Sequence, residues 1–347
     1  MSDPVFPKAA ARIVPALMAL ALTGGNGAAQ IQPPTPSSAA PAPAEPAAAP
    51  ESSSDISYDR ADRMLLNVTV NQQQGATFMV DTGSERTVIS DALAERLGIA
   101  ASGRATIASV AGTASVATAR IDQIGFDKVS VDNLVTPVLK REHMGADGLI
   151  GVDSLQQKLV LFDFDKREMH IRPSKRRSAE RSYDPDEIVV TGKPLHGRLI
   201  FADARIDGVR VTVVVDSGAQ YSIGNPALLA KLTERRKIKT PIVTTLHSVT
   251  GQSVDATLAF AGRVHIGALQ LRGMPIAYTG SPAFTALELD DEPALLLGMN
   301  TLRAFRQVEV DFANRRVRFV TPGGASRTPD TRYACASAQC GQALPSI

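Results

Sequence analysis

Two short stretches carry the residue types best suited to chemistry, Asp81-Thr82-Gly83-Ser84 and Asp216-Ser217-Gly218-Ala219. They contain the only two Asp-Thr/Ser-Gly tripeptides in the sequence. Each follows an apolar, β-branched run, Ala-Thr-Phe-Met-Val before Asp81 and Val-Thr-Val-Val-Val before Asp216. A strand running straight into Asp leaves a carboxylate at the end of a buried element, and Gly two residues later permits a turn that a Cβ would block. One such tripeptide describes an ordinary Asp-capped turn. Two of them, in two related halves, can be brought face to face about a pseudo-twofold axis. Carboxylates about 3 Å apart cannot both ionise, so they share a proton and titrate as a pair. One then acts as base toward a water while the other, protonated, donates to a substrate carbonyl.

The elements that must position these groups repeat. Ser109-Val110-Ala111-Gly112 is answered by Ser248-Val249-Thr250-Gly251, Gly148-Leu149-Ile150-Gly151 by Leu295-Leu296-Leu297-Gly298, and Asp163-Phe164 by Asp311-Phe312. With the Asp motifs, the offsets are 135, 139, 147 and 148 residues, in unchanged order. The body is therefore one domain twice. Residues 65–70, 77–80, 209–215 and 308–312 are short, β-rich runs bounded by Gly or polar turns and are predicted strands. Ser90 followed by Asp-Ala-Leu-Ala-Glu-Arg-Leu-Gly98, and Asn225-Pro226 followed by Ala-Leu-Leu-Ala-Lys-Leu, predict one short capped helix per copy. Residues 104–124 and 242–266 alternate apolar and polar around Gly112 and Gly251, which predicts hairpins with those glycines near their tips.

Composition narrows the remaining chemistry. The 347 residues carry 37 basic and 35 acidic side chains, a formal charge of +2, and 5% aromatics, too little field and too few rings for nucleic acid. Two Cys and five His, none at i, i+4 spacing, give no metal signature, and no cofactor is called for. Lys8 and Arg12, the apolar run 13–22 and the small exit Gly27-Ala28-Ala29 read as a signal peptide over 1–29, implying a periplasmic or secreted protein. An uncleaved membrane anchor is the other reading. Residues 30–57, rich in Pro and Ala, read as a disordered tether. The rest divides into lobe 1 (58–173), a polar linker (174–187), lobe 2 (188–321) and a tail (322–347). Cys335 and Cys340 in that tail either close a small disulfide loop or stay idle thiols.

Asp81-Thr82-Gly83, Asp216-Ser217-Gly218 and the later Leu149-Ile150-Gly151 and Leu296-Leu297-Gly298 resemble the retropepsin-like aspartic proteases, as a tandem with both lobes in one chain. The resemblance spans residues 58–321. It implies an all-β fold of two duplicated β-barrel lobes, each with a short helix, and an endopeptidase with an Asp81/Asp216 dyad working as a monomer on peptide or protein substrates. It further implies that Thr82 and Ser217 hydrogen-bond across the junction, that Gly83 and Gly218 supply donors near the carboxylates, and that Gly112 and Gly251 sit in flaps closing over a bound peptide. Direct attack by water, without metal, cofactor or covalent intermediate, belongs to the same expectation. A weakly active peptide-binding or assembly module, and a dimer of tandems, are the alternatives.

Departures from that pattern carry expectations of their own. Ser84 is matched by Ala219, so a hydroxyl donor to the carboxylate would exist on one side only, raising a pKa and moving the optimum to less acid pH than pepsin's. Neither hairpin carries the Tyr of pepsin-like flaps. The step from Asp216 to Gly298 is 82 residues against 70 from Asp81 to Gly151, which predicts asymmetric specificity. Asp163 and Asp165 are read as a solvated β-turn, Ser154 as the start of a helical turn, and His143 and His247 as surface or satisfied histidines. Asn67-Val-Thr69, a formal glycosylation acceptor, falls in a predicted strand.

Overall fold

Leu66, Val68 and Val70 of the strand Met64–Val70 are buried while Asn67 is exposed, so the period-2 pattern seats one face of that strand in a core. The computed structural model describes residues 56–58, 64–174, 186–322 and 331–332. The proposed signal peptide, most of the tether and linker, and Cys335 and Cys340 lie outside the described residues. Residues 56 and 57, assigned from sequence to the tether, lie in a strand, Ile56–Tyr58, that pairs with Met64–Val70. Among the described residues, no helix is long and apolar enough to cross a membrane.

Both lobes lay their strands in one order. In the first it runs Ile56–Tyr58, Met64–Val70, Gln73–Val80, Gly148–Ile150, Val88–Ser90, Val129–Leu139, Gly112–Phe126, Ala101–Ser109. In the second it runs Lys193–Leu195, Arg198–Ile206, Val209–Val215, Ala294–Leu297, Ile223–Gly224, Leu269–Tyr278, Ser253–Ile266, Ile242–His247, with Thr331–Arg332 added beside Leu269–Tyr278. The second sheet closes on itself, because Arg198–Ile206 also pairs with Ser253–Ile266 through Ala204, Arg205 and Ile206. It is a β-barrel with a short helix, as expected. In the first lobe the corresponding contact is two residue pairs, Thr69 with Gly125 and Val70 with Ile124, and that lobe is a β-rich sheet rather than an equal closed barrel.

The helices start where their caps stand. Ser90 Oγ accepts the Leu93 N–H at 3.0 Å to open Asp91–Arg96, and Asn225 Oδ1 accepts the Leu228 N–H at 2.9 Å to open Pro226–Glu234. Asn225 also donates to Leu289 O and Glu292 O, both at 2.7 Å, which ties the longer loop of lobe 2 to the helix start.

A third sheet is built from strands of both lobes. Its order is Glu168–Pro173, Lys158–Asp163, Gln307–Asp311, Arg316–Val320, Glu187–Thr191. The closing strands of the two copies pair antiparallel at its centre, with Leu161 directly opposite Glu309. Those two residues are 148 positions apart, the same offset as Asp163 and Asp311, so equivalent residues face each other across a local twofold axis. The half-chains are thereby locked by backbone hydrogen bonds as well as by Val160, Phe162, Val308 and Val310 in the shared core. Across this sheet Arg318 Nη1 donates to Glu187 at 2.6 Å and Arg318 Nη2 to Glu309 at 3.0 Å, with all three side chains under 15% exposed. Arg318 is the cation shared by both carboxylates, with Arg172 Nη2 a more distant 3.6 Å from Glu309, so removing Arg318 weakens the charge balance of a largely buried ion group. Arg318→Ala is expected to lower unfolding free energy by about 3 kcal/mol in a urea titration; a loss below about 1 kcal/mol would mean that solvent carries these charges.

Candidate active site

Each Asp turn is fixed by the element that follows it in space, not in sequence. The Asp81 N–H donates to Ile150 O at 2.9 Å and the Asp216 N–H to Leu297 O at 3.0 Å, so both turns are suspended from the apolar-apolar-Gly strands of their own lobe. A second clamp matches across the repeat. In lobe 1, Thr87 N–H and Oγ1 donate to Asp153 Oδ1 at 2.9 and 2.7 Å, and Thr87 Oγ1 accepts the Gly151 N–H at 3.1 Å. In lobe 2, Ser222 N–H and Oγ donate to Asn300 Oδ1 at 2.8 and 2.9 Å, and Ser222 Oγ accepts the Gly298 N–H at 3.0 Å. Sequence reasoning missed Asp153 and Asn300. The signal was present, since they stand 147 residues apart, the offset of the glycines before them.

The two turns interlock. Thr82 Oγ1 accepts the Ser217 N–H at 3.0 Å and donates to Val215 O at 2.9 Å; Ser217 Oγ accepts the Thr82 N–H at 3.1 Å and donates to Val80 O at 2.7 Å. Both hydroxyls are buried. The interlock presses each turn against the opposite carboxyl group: a Cβ on Gly83 would run into the Asp216 carboxylate, and one on Gly218 into that of Asp81. Only Gly leaves room for this approach. Within each turn one oxygen of the Asp takes two backbone donors. Asp81 Oδ1 accepts from Gly83 N at 2.9 Å and Ser84 N at 2.8 Å, and Asp216 Oδ1 from Gly218 N at 3.0 Å and Ala219 N at 3.1 Å.

The electrostatics follow from that packing. Burial raises Asp81 above the ordinary carboxylate range, opposed by the Gly83 and Ser84 N–H groups, the Arg198 charge and a hydrogen bond with Asp216. Burial, then the neighbouring Asp81 charge, pushes Asp216 up to about 7 against the Ala219 and Gly218 donors. Arg198, which sequence reasoning also missed, is itself buried and its Nε donates to Gly83 O at 2.6 Å. No local pattern marked it.

The paired carboxyls lie on the floor of a cleft of about 1590 Å³ between the lobes. That exceeds the roughly 300–1,000 Å³ of small-molecule sites and suits an extended chain. Its roof is two hairpins, Ala101–Ser109 with Gly112–Phe126 and Ile242–His247 with Ser253–Ile266, so Gly112 and Gly251 do stand at hairpin turns. Their tips touch: Ser109 Oγ and Thr250 Oγ1 are 3.1 Å apart, and Gly112 sits against the Gln252 side chain. Gly251 rests on the His143 ring. Each tip also crosses to the far lobe, Val110 packing on apolar residues of lobe 2 and Val249 on those of lobe 1.

Residues 66–157 match the family described as "gag-polyprotein putative aspartyl protease", and residues 202–301 match the family described as "Aspartyl protease". The two aspartyl-protease matches thus lie in tandem along the chain. Asp81 and its clamp fall in the first and Asp216 and its clamp in the second. No curated protein matches the chain.

Other expectations fare differently against this geometry. The Ser84 hydroxyl does not reach the carboxylate: it donates to Arg86 O at 2.8 Å, and the fourth residue of each motif contributes its backbone N–H instead. Ser84 and Ala219 are thus equivalent toward the two carboxylates, and, contrary to the expectation from sequence, the Ser84 hydroxyl creates no asymmetry between them. His143 and His247 are exposed, as read from the sequence, and both line the cleft, His143 under the Gly251 turn and His247 bonded through Nδ1 to Ser253 Oγ at 2.8 Å. Ser154 is buried against Thr87 Oγ1 at 2.7 Å in the short helix Val152–Leu155, and Asp163 Oδ1 accepts the Lys166 N–H of its turn at 2.9 Å.

Proposed function

We propose that this chain is an aspartic endopeptidase whose Asp81 and Asp216 activate a water for attack on a peptide carbonyl. The observation that carries the reading is the apposition of two partly buried carboxyl groups, each with two backbone donors on one oxygen, at the floor of a peptide-sized cleft. The pair shares one proton; beyond the burial that raises both, the Asp81 charge raises Asp216 while the hydrogen bond with Asp216 lowers Asp81, so the proton is assigned to Asp216 at the start of the step. Asp81 takes a proton from the water as its oxygen bonds to the carbonyl carbon, and Asp216 gives its proton to the carbonyl oxygen. On collapse of the resulting diol Asp81 gives its proton to the amide nitrogen as the C–N bond breaks, and Asp216 takes one from a diol hydroxyl as the new carbonyl forms, which returns the pair to its starting state. Every proton is held by the dyad, so the residues present suffice. Thr82, Gly83, Ser217 and Gly218 hold the pair in place, and Gly112 and Gly251 close the roof. The shared strand order supports reading both lobes as copies of one barrel, and both aspartates come from one chain, which favours a monomer in cis. The signal-like N-terminus supports action outside the cytoplasm.

The test is peptide-library hydrolysis that a statine-type peptide blocks and that Asp81→Asn and Asp216→Asn abolish; equal activity in all three proteins overturns the reading. The pH profile has a definite sign. The active dyad carries one proton, so kcat/KM falls as pH rises through about 7, where Asp216 deprotonates, and falls at low pH once Asp81 protonates. The optimum is therefore less acid than pepsin's, now because of burial. A peak below about pH 4 would contradict the assigned protonation.

A further inference from the structure

Granting the peptidase reading, the two sides of the dyad offer unlike pockets. Beside Asp81 the floor is Val88, Leu139 and Leu149, and beside Asp216 it is Val214, Ile223 and Leu296, so both are apolar at depth. Their rims differ. In lobe 1 the short helix Arg141–Met144 brings Arg141, Glu142 and His143 to the cleft. In lobe 2 the longer connection, through Pro282–Thr285, brings Ala283, Ala286 and Leu287 to the equivalent edge. The turns repeat the contrast, with Glu85 and Arg86 on the first side and Gln220 and Tyr221 on the second.

We infer that the cleft reads peptides with polarity: the lobe 2 pocket takes a wholly apolar side chain, and the lobe 1 pocket takes one with an apolar stem and a polar tip. The physical reason is desolvation. A polar tip placed against Ala283 and the buried Leu287 meets no hydrogen-bonding side chain on that edge, Gln220 and Tyr221 standing on the turn instead, and its desolvation there is costly. The same tip beside Glu142, whose side chain is 75% exposed, and His143 finds hydrogen-bond partners and stays near solvent. The 12 extra residues between Asp216 and Gly298 thus change which side chain one pocket accepts, while the dyad itself stays nearly symmetric.

Four peptides centred on a hydroxyethylene isostere test this, with a Leu or Gln side chain on each side of the hydroxyl: Leu/Leu, Gln/Leu, Leu/Gln and Gln/Gln. The hydroxyl fixes the register on the dyad, and dissociation constants are measured on the intact protein. The two mixed peptides should differ by about tenfold or more, because a site lacking a partner for a polar group discriminates on that scale. Ala286→Glu and Glu142→Leu, both at exposed positions, should each shrink that ratio to below about threefold. Equal binding of the mixed pair, or a ratio untouched by both substitutions, overturns the polarity while leaving dyad-dependent cleavage standing. Failure of all four peptides to bind overturns the peptidase reading itself, and the polarity with it.

Discussion

Asp81→Asn and Asp216→Asn should each reduce peptide hydrolysis by about 10³-fold or more while the fold survives. Asn keeps an Oδ1 that can accept the two N–H groups of its turn, Gly83 and Ser84 on one side and Gly218 and Ala219 on the other, so the turn geometry remains. What it loses is the ability to take up or give a proton, and the remaining carboxyl cannot serve as acid and base in the same step. Initial rates on a fluorogenic peptide, with a circular-dichroism melt as control for folding, check this. Half activity in each single variant would mean that the lobes work independently. The melts carry a second reading through proton linkage. Asp216 is raised to about 7 in the folded protein, so the stability associated with its proton is fully present below the unfolded value near 4 and is lost as pH rises through about 7. Asp216→Asn removes a carboxylate that must ionise in a desolvated place. The variant should therefore melt above the wild type at pH 8 and close to it at pH 4.

Removing the interlocking hydroxyls should cost stability and turnover together. In Thr82→Val a side chain of similar shape replaces one that accepts the Ser217 N–H and donates to Val215 O, leaving both groups buried and unpaired. At about 1–3 kcal/mol for each buried polar group left unsatisfied, a loss of roughly 2–4 kcal/mol is expected, and Ser217→Ala acts on the Thr82 N–H and Val80 O in the same way. The double variant should lose less than the sum, because the two hydroxyls serve one interlock. Turnover falls because the turns no longer hold the carboxyls in contact, and a displacement of about 1 Å can cost 10²-fold. Thr82→Ser, which keeps the hydroxyl, should restore most of both. Urea midpoints and kcat/KM for the four proteins decide the matter; a Thr82→Val protein within about 0.5 kcal/mol of wild type would show that the interlock contributes little.

The features legible in the sequence are local or repeated. Ser90 and Asn225 mark their helix starts because capping is a contact between residues three apart, and the strands before Asp81 and Asp216 declare themselves by β-branched runs. The pairing of Asp81 with Asp216 was legible because the tripeptide occurs twice in register. Arg198 was not, since its link to Gly83 O spans 115 residues and nothing near it in the chain implies a partner. Ser84 misled for the complementary reason: a hydroxyl beside a carboxylate in sequence need not point at it, and the backbone N–H at that position was already placed to donate.

The sequence by itself determined that the body carries the same motifs twice, in the same order and in β-rich halves, and which two carboxylates could meet, because motif order and apolar periodicity are properties of residue order. Only the tertiary structure decided that Leu161 meets Glu309 on a local twofold axis, that each flap tip crosses to the opposite lobe, and that the first sheet is less fully closed than the second. Those outcomes depend on how the copies are turned relative to one another. That orientation is set by the pairing of strands from the two halves and by buried surfaces far apart in the chain, which no local propensity encodes.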